Sequence, residues 1–310
     1  MNKDFTSSCP RWASQLLKIG SLGAIAGTAA LWWGYKECER FELEEVEVPL
    51  LSPGTLRSRE AFSILHISDI HMVPGQKKKQ EWIADLARLK PDLVVNTGDN
   101  LSDLHAIPSL LAAIQPLFAF PGLFVFGSND YFGPKPVNPF LYLVGRKRKV
   151  SRVELPWKDM RAVFLEHGWR DATHQRHEFK VSGLKVAATG VDDPHHDLDD
   201  YGSIAGAPNP QADMSLALVH CPEPRVLARF AADGYQLSLS GHTHGGQICL
   251  PGSMSLVTNC GIDRARAKGL HQFKHMAMYV SKGLGTSKFA PIRLFCRPSA
   301  TLLKITEKSS

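Results

Sequence analysis

The feature that most constrains the fold is a repeated order of strand, loop and helix, which begins near residue 61. Short apolar runs of the buried-strand type cover residues 62–67, 92–96 and 122–126, and a loop that contains Asp follows each of them. Residues 79–89 repeat apolar positions at helical spacing. Strands that alternate with helices pair in parallel, and ligands bind beyond the carboxyl ends of such strands. The sequence therefore predicts an α/β fold with a ligand site where these loops meet.

Candidate metal ligands stand in these loops and in two later ones, at predicted strand ends or beside glycines. They are two carboxylates and four imidazoles: Asp69, His71, Asp99, His220, His242 and His244. Imidazole and carboxylate groups are the ligands expected for Zn, Mn or Fe. Six ligands exceed what one catalytic metal needs, because such a metal keeps a coordination position open. We therefore predict two divalent metal ions, each of them Mn, Zn or Fe.

A pair of metal ions predicts a particular chemistry. Two ions about 3.5–4 Å apart can hold a phosphoryl group and activate a water molecule between them. The expected reaction is phosphoester hydrolysis, by in-line attack of a hydroxide that bridges the two metals. This route needs no covalent intermediate with the protein.

The motifs resemble, in the same order, those of the calcineurin-like metallophosphoesterase superfamily and of its bacterial membrane-anchored branch. The family pattern is D-x-H, G-D, G-N-H-D/E, a lone His and G-H-x-H. The corresponding residues here are 69–71, 98–99, 127–130, 220 and 241–244. The resemblance covers about residues 60–305 and implies a four-layer fold, in which a two-sheet β-sandwich is flanked by helices. In the order first metal, bridge and second metal, it implies the ligands Asp69, His71 and His244, then Asp99, then His220 and His242.

One loop departs from the family pattern, because residues 127–130 read Gly-Ser-Asn-Asp. Ser128 aligns with the Asn that binds the second metal in the family, and Asn129 aligns with the catalytic His. A shift by one residue would let Asn129, beside Asp130, supply an amide oxygen as a ligand instead. The usual catalytic His is absent in either alignment. Because a general acid contributes about 10²–10⁴-fold to the rate, we expect reduced activity unless another side chain replaces it.

Two segments outside the motifs allow more than one interpretation. His195 and His196 are candidates for the missing catalytic His or for an accessory metal site, and the alternative is a solvated loop. The basic run Arg146–Lys149 lies in a Pro-rich insertion, residues 131–156, which is a candidate cap over the site. This run could face substrate phosphates or anionic lipids, or it could be a solvated loop.

The N-terminal part predicts attachment to a membrane. The apolar and uncharged run Ile19–Tyr35 ends in aromatic residues, as is typical at a bilayer surface. We interpret residues 1–40 as an anchor with a transmembrane helix, 41–60 as a tether that starts with an edge strand, and 61–310 as the metallophosphoesterase domain. A cleaved signal peptide and a buried soluble helix stay open, because the run is shorter than the roughly 20 residues of a full span.

The distribution of basic residues indicates how this single-pass protein would be oriented. Basic residues favour the cytoplasmic side of a membrane. Three of them precede the apolar run and two follow it closely: Lys3, Arg11, Lys18, Lys36 and Arg40. We therefore expect the N-terminus in the cytoplasm and the catalytic domain outside it.

Charge and cysteine content limit the partners and the cross-links. A net charge of +6 fits an anionic substrate or membrane surface. The sequence has no basic stripe with interleaved aromatic residues, so we expect no nucleic-acid partner. None of the six cysteines shows C-x-x-C spacing, and we expect most of them to be free. Cys249 and Cys260 are the candidate disulfide if the domain faces an oxidising compartment.

Together these features predict metal-dependent hydrolysis of a phosphodiester or pyrophosphate bond near a membrane, in a lipid-linked or nucleotide-like substrate. Two other functions stay open. One is a metal-dependent protein phosphatase, because an open site at strand ends does not exclude it. The other is a metal-binding scaffold that has lost catalysis through its altered Gly-Ser-Asn-Asp loop.

Overall fold

The computed structural model of the chain describes residues 27–134, 153–252 and 254–309. The helices within these ranges are α1 (27–37), α2 (Lys77–Asp85), α3 (Ile107–Ile114), α4 (Ser128–Tyr131), α5 (Trp157–Glu166) and α6 (Pro224–Asp233). The strands are β1 (Glu42–Leu51), β2 (Phe62–Ile67), β3 (Leu93–Asn96), β4 (Gly122–Phe124), β5 (Arg170–Asp171), β6 (Gln175–Val181), β7 (Leu184–Gly190), β8 (Met214–Leu218), β9 (Leu237–Ser240), β10 (Cys249–Leu250), β11 (Met254–Ser255), β12 (Gly269–Phe273), β13 (Met276–Val280) and β14 (Ser299–Glu307).

The first large sheet joins the two ends of the described chain. Its strand order is β1-β14-β2-β3-β4-β5. Strands β2 to β5 pair in parallel, whereas β14 is antiparallel to β2 and parallel to β1. β1 is thus an edge strand, as its alternating sequence predicted. Because its partner β14 comes from the C-terminal part, residues 42–51 belong to the same sheet as β2 and β3, after which the loops with predicted ligands begin.

The second large sheet has the strand order β12-β13-β9-β8-β7-β6. Its four central strands pair in parallel, and β6 and β12 are antiparallel strands at the two edges. The strands β10 and β11 form a separate two-stranded sheet. The carboxyl ends of β8 and β9 therefore lie side by side, and the loops that contain His220 and His242 follow them directly.

Three hydrophobic clusters hold the layers together. The first lies between the two sheets and contains side chains from both, such as Ile64 and Leu216. The second packs α3 and α5 against the first sheet through Leu110 and Phe164, and the third packs α6 against the second sheet through Phe230. The order helix, sheet, sheet, helix confirms the predicted two-sheet sandwich flanked by helices.

The predicted membrane span lies partly outside the described residues. Its second half forms α1, on which Leu31, Trp32 and Tyr35 are exposed. In the described parts of the chain, no helix is both long enough and apolar enough to cross a membrane. The basic run Arg146–Lys149 and most of the predicted insertion also lie outside the described residues.

The cysteines in the described part of the chain are free thiols. The candidate disulfide between Cys249 and Cys260 is not formed. The Cys249 and Cys296 thiols instead both donate to the Gly245 carbonyl, at 3.3 and 3.5 Å, and Cys260 groups with Cys221. The fold explains this arrangement, because the Cys249 backbone N–H donates to the Leu294 carbonyl at 2.9 Å and so brings β10 next to the segment before Cys296.

Candidate metal centre

Backbone hydrogen bonds between loops bring the predicted ligands together. In the first sheet, the N–H of Asp69 donates to the carbonyl of Gly98 at 2.9 Å. In the second sheet, the N–H of Gly241 donates to the carbonyl of His220, also at 2.9 Å. Loops that are far apart in sequence are therefore fixed side by side at the carboxyl ends of the parallel strands.

Most of the predicted ligands have a strained backbone. Five of the six adopt a φ between 45° and 69°, a left-handed conformation that is uncommon for residues other than glycine. Gly98 has a φ of 92°, and a side chain at this position would collide with the backbone of Gly127. Strain of this kind persists where the surrounding structure fixes it, and it is typical of functional sites. The five residues are Asp69, His71, Asp99, His242 and His244.

Asp69, His71 and His244 form a first group of converging ligand atoms. The Nε2 of His244 lies 3.2 Å from the Nε2 of His71 and 3.6 Å from the Oδ1 of Asp69. The Nδ1 of His71 lies 2.9 Å from the Ser102 hydroxyl, and the Nδ1 of His244 donates to the Gly285 carbonyl at 3.0 Å. Because these contacts engage both Nδ1 atoms, each ring turns its Nε2 towards the centre.

Asp69, Asp99 and His220 form a second group, so that Asp69 belongs to both. The Nδ1 of His220 donates to the Thr97 carbonyl at 2.7 Å. Its Nε2 lies 3.3 Å from the Oδ2 of Asp99 and 4.0 Å from the Oδ1 of Asp69. This Nε2 is buried and has no hydrogen-bond partner among the described residues. Because an unpartnered buried polar atom is costly, its position fits a ligand of a metal cation.

The charges of the site match divalent cations. Burial lowers the pKa of His71 to about 4 and that of His242 to about 3, and it lowers the pKa of His244 well below its ordinary value. Burial also acts to lower the pKa of His220, but the Asp99 carboxylate raises it well above the ordinary value. Metal ligands must be deprotonated, and the lowered pKa values keep the rings of His71, His242 and His244 neutral. The donor set therefore fits the two predicted ions.

The divergent loop lies against Asp99. The backbone N–H of Asn129 donates to the Oδ1 of Asp99 at 2.9 Å, and its side-chain amide donates to the Oδ2 at 2.6 Å. Ser128 is buried, and its backbone N–H donates to the Asp193 carboxylate at 3.1 Å. The loop therefore places the side chain of Asn129 at the Asp99 carboxylate of the second group.

Asp130, the last residue of the Gly-Ser-Asn-Asp loop, holds the neighbouring loop in place. Its carboxylate accepts hydrogen bonds from the backbone N–H groups of Asp99, Asn100 and Gly127, at 2.8, 2.7 and 3.0 Å. Burial and the nearby charge of Asp99 raise the pKa of Asp130 to about 7. These contacts fix the backbone on both sides of the Asp99 carboxylate, so Asp130 is a positioning residue.

His242 stands at the outer side of the second group. Its ring centre is 5.3 Å from that of His220, and its backbone N–H donates to the Asp69 carboxylate at 3.0 Å. Its ring nitrogen groups with those of His195 and the sulfur of Cys221, not with the two carboxylates. The ring centres of His195 and His242 are 4.5 Å apart. The structure therefore brings His195 next to a predicted ligand.

Asp193 connects the histidine pair to the divergent loop. One carboxylate oxygen accepts the backbone N–H of His195 at 3.1 Å, and the other accepts that of Ser128 at the same distance. The ring centre of His196 is 4.8 Å from that of His195. Of the two candidate substitutes for the missing catalytic His, His195 is therefore the one whose ring contacts a predicted ligand.

The sequence did not predict the residues that orient the ligand rings through the nitrogen facing away from the centre. Thr97 and Gly285 do so through backbone carbonyl oxygens. Because every residue type has such an oxygen, no sequence pattern identifies these two residues. Ser102 acts through a hydroxyl that follows Asp99 by three residues. Asp193 could have been found, because an Asp followed by Pro is typical of a cap at the start of a helical turn.

Comparison with known proteins identifies relatives of this chain. It is similar to the uncharacterized metallophosphoesterase YkoQ of Bacillus subtilis (strain 168), with 29% identity over 81% of this chain and 86% of the relative. Phosphodiesterase YaeI of Escherichia coli (strain K12) is 27% identical over 79% of this chain and 82% of the relative. A Danio rerio protein, "Transmembrane protein with metallophosphoesterase domain", is 26% identical over 83% of this chain and 55% of that protein.

The calcineurin-like phosphoesterase family matches residues 62–246, which is more than half of the 310-residue chain. The matched range begins at β2 and ends just after the Gly-His-Thr-His loop, so it contains the loops of both ligand groups. Members of this family use two divalent metal ions, in agreement with the two groups of converging ligands. The chain therefore belongs to the calcineurin-like phosphoesterase family and is a metal-dependent hydrolase of phosphoric ester bonds.

Proposed function

We propose that this hydrolase cleaves a phosphodiester or pyrophosphate bond at a membrane, in a lipid-linked or nucleotide-like substrate. The name of the Escherichia coli relative, a phosphodiesterase, supports the diester. The name of the Danio rerio relative, a transmembrane protein, supports the membrane. The apolar N-terminal segment of this chain supports it independently, because its described part exposes Leu31, Trp32 and Trp33.

The proposal includes an assignment of the metal ligands. The first group would hold one ion, the second group would hold the other, and one carboxylate would bridge them. Asn129 and His242 complete the second site in this assignment. In the order first metal, bridge and second metal, the ligands are Asp69, His71 and His244, then Asp99, then Asn129, His220 and His242.

The observation that carries the proposal is the position of the Asp99 carboxylate. Its Oδ2 lies 3.5 Å from the Nε2 of His71, which belongs to the first group, and 3.3 Å from the Nε2 of His220, which belongs to the second. A bridging ligand must lie between its two metals and within reach of the ligands of each. The Oδ1 of Asp69 is also near a ring of each group, at 3.6 Å from the Nε2 of His244 and 4.0 Å from the Nε2 of His220. The shorter contacts of the Asp99 Oδ2 support Asp99 as the bridge.

The chain and its metals have separate tasks in this proposal. When bound, the two ions supply the Lewis acidity that neutralises phosphoryl charge and makes water nucleophilic near neutral pH. Asp130 and Asp193 hold the loop of Asn129 against the site, so that its side-chain amide lies beside the Asp99 carboxylate. We assign to His195 the N–H that stabilises a phosphoryl or leaving-group oxygen, because its ring lies beside His242.

A substrate panel tests the proposed function. The full-length protein is stripped of metal with a chelator, reconstituted with Mn, Zn or Fe, and assayed in neutral detergent. An aryl phosphodiester, an aryl phosphomonoester and a phosphoserine peptide are compared by kcat/KM. We expect the diester to be the best substrate. A preference for the phosphopeptide would instead indicate a protein phosphatase, and two bound metals without turnover of any substrate would indicate a scaffold.

A further inference from the structure

A cavity of about 470 Å³ lies next to the first ligand group. The ligand His71 is part of its wall, so the cavity adjoins the metal centre. The rest of the wall comes from three segments, namely residues 35–41 at and after the end of α1, residues 73–79 before and at the start of α2, and residues 285–291. The volume lies within the range of about 300–1,000 Å³ that is typical of small-molecule sites. None of the residues assigned to catalysis other than His71 lines it.

The helix α1 is fixed to this side of the domain. The backbone N–H of Arg293 donates to the Gly34 carbonyl at 3.0 Å, and the Arg297 guanidinium lies 3.6 Å from the buried carboxylate of Glu37. Tyr35 and Phe41 form part of the cavity wall. The end of the apolar N-terminal segment is therefore held beside the candidate metal centre, with its exposed Tyr35 in the cavity wall.

The cavity wall is strongly basic. It contains four lysines, Lys77, Lys78, Lys79 and Lys288, and one carboxylate, that of Glu39. Lys78 pairs with Glu39 at 3.8 Å, and Lys288 pairs with Asp103 at 2.6 Å. Both pairs are at the surface, where such contacts contribute little and leave the ammonium groups available to a ligand.

Three of these lysines occupy the first turn of α2, which has no acidic residue there. Cations are unfavourable at a helix N-terminus, because the aligned peptide dipoles already give it a partial positive charge. Lys79 is buried as well, and among the described residues its ammonium group has one hydrogen-bond partner, the Ile70 carbonyl at 2.8 Å. An anion in the cavity would offset the unfavourable interaction of these lysines with the helix dipole and the cost of burying the Lys79 ammonium group.

We propose that this cavity binds an anionic group of a lipid-linked substrate, separate from the phosphoester that is cleaved. The hydrocarbon chain of the substrate lies along α1. The proposal rests on the proposed function, since it assumes that the scissile phosphoester is at the metal centre beside His71. The lysines recognise the anion, and the apolar part of the wall, with Tyr35 and Phe41, accepts the start of the chain. Charge complementarity and the docked α1 together favour this occupant over a soluble anion.

The test compares two phosphonates that have the same anionic group and cannot be hydrolysed. Binding of n-dodecylphosphonate and of methylphosphonate to the metal-loaded, full-length protein in neutral detergent is measured by calorimetry. The variant carries Lys77→Gln, Lys78→Gln and Lys288→Gln, three exposed positions. The matched control removes the same charge from exposed lysines elsewhere, through Lys180→Gln, Lys185→Gln and Lys274→Gln.

We expect the wild-type protein to bind the dodecyl ligand at least about tenfold more tightly than the methyl ligand, and the cavity variant to lose at least about tenfold of dodecyl binding, because three attractions to the anion are removed. The control should bind like the wild type. Equal binding of the two ligands would show a site for soluble anions and overturn the lipid assignment. Equal losses of dodecyl binding in the variant and the control would refute the assignment of the anion site to this cavity.

Turnover of the aryl phosphodiester by the wild-type protein is recorded in parallel. This substrate has a single phosphate and no hydrocarbon chain. Absence of turnover together with chain-dependent phosphonate binding would refute the proposed function and leave the lipid subsite standing. Normal turnover with equal binding of the two phosphonates would refute the subsite and leave the proposed function standing.

Discussion

Asn129 is joined to Asp99 by two hydrogen bonds, one from its backbone N–H to Oδ1 at 2.9 Å and one from its side-chain amide to Oδ2 at 2.6 Å. The altered loop therefore keeps an amide group at the carboxylate that we assign as the bridge. Half a turn of the amide about its last side-chain bond would present its oxygen from the same position, because this torsion is roughly two-fold. In that orientation Asn129 would supply the amide-oxygen ligand that the family has at the position of Ser128, so the altered loop would not lose a metal ligand.

The first prediction separates Asn129 from Ser128. Asn129→Ala should lower the affinity for the second metal by about 10–100-fold, the range found when a group that supports a metal site is removed. Ser128→Ala is the matched control and should bind both metals as the wild type does, because the structure uses the backbone of Ser128. Metal affinity is measured by competition with a chelator.

The same loop can be returned to the family pattern by the double substitution Ser128→Asn with Asn129→His. If the present loop is adapted to its site, this change should leave kcat unchanged or reduce it. A large gain in kcat would mean that the natural loop is impaired and that Asn129 does not replace the family ligand.

The second prediction concerns the bridging carboxylate. Asp99→Ala should lose both metals and reduce hydrolysis of an aryl phosphodiester by more than about 100-fold, because its Oδ2 is close to a ring of each ligand group. Asp85→Ala removes an exposed carboxylate and serves as the control. Metal content by elemental analysis gives the result, and retention of one full equivalent by Asp99→Ala would refute the bridging role.

The third prediction distinguishes the two metal sites. His244→Ala should deplete the first metal and leave about one metal per chain, because His244 contacts Asp69 and His71 of the first group. His275→Ala, at an exposed position, should retain both metals. Elemental analysis after dialysis measures the difference. Equal loss of both metals in His244→Ala would contradict the assignment of this residue to one site.

The sequence predicts features of the site that neighbouring residues determine, but not those that depend on contacts between residues far apart in the chain. The strand β2 has the predicted bounds, and the ligand loops follow β2, β3 and β4 as expected, because a buried strand and its turn are encoded in adjacent residues. The pairing of β1 with β14 could not be predicted, since it joins Glu42 to Ser299 across the whole domain. The same holds for Thr97 and Gly285, which orient His220 and His244 through backbone atoms.

The sequence could not predict the neighbours of His242. The assignment of His242 and His220 to one ion stays a prediction, and the structure adds that the His242 nitrogen groups with His195 and Cys221. Local spacing shows that His242 and His244 can point to one side, but it does not fix which neighbours lie there. This position depends on the turn at Pro194, which brings His195 within 4.5 Å of the His242 ring.

The fourth prediction follows from this contact. If His195 gives a proton or a hydrogen bond to the leaving group, His195→Ala should reduce kcat much more for an alkyl phosphodiester than for a nitrophenyl one. A nitrophenolate leaves without protonation, whereas general acid catalysis contributes about 10²–10⁴-fold to poor leaving groups. His196→Ala is the control, and the ratio of the two rates is the measurement. An unchanged ratio would assign His195 a purely structural role.

The fifth and most direct measurement is the metal content of the purified full-length protein, determined together with its hydrolysis of an aryl phosphodiester. The account predicts about two divalent ions per chain, loss of turnover when a chelator removes them, and recovery when Mn, Zn or Fe is restored. One metal or none, with no turnover after any of these metals is added, would contradict the proposed dinuclear phosphoesterase.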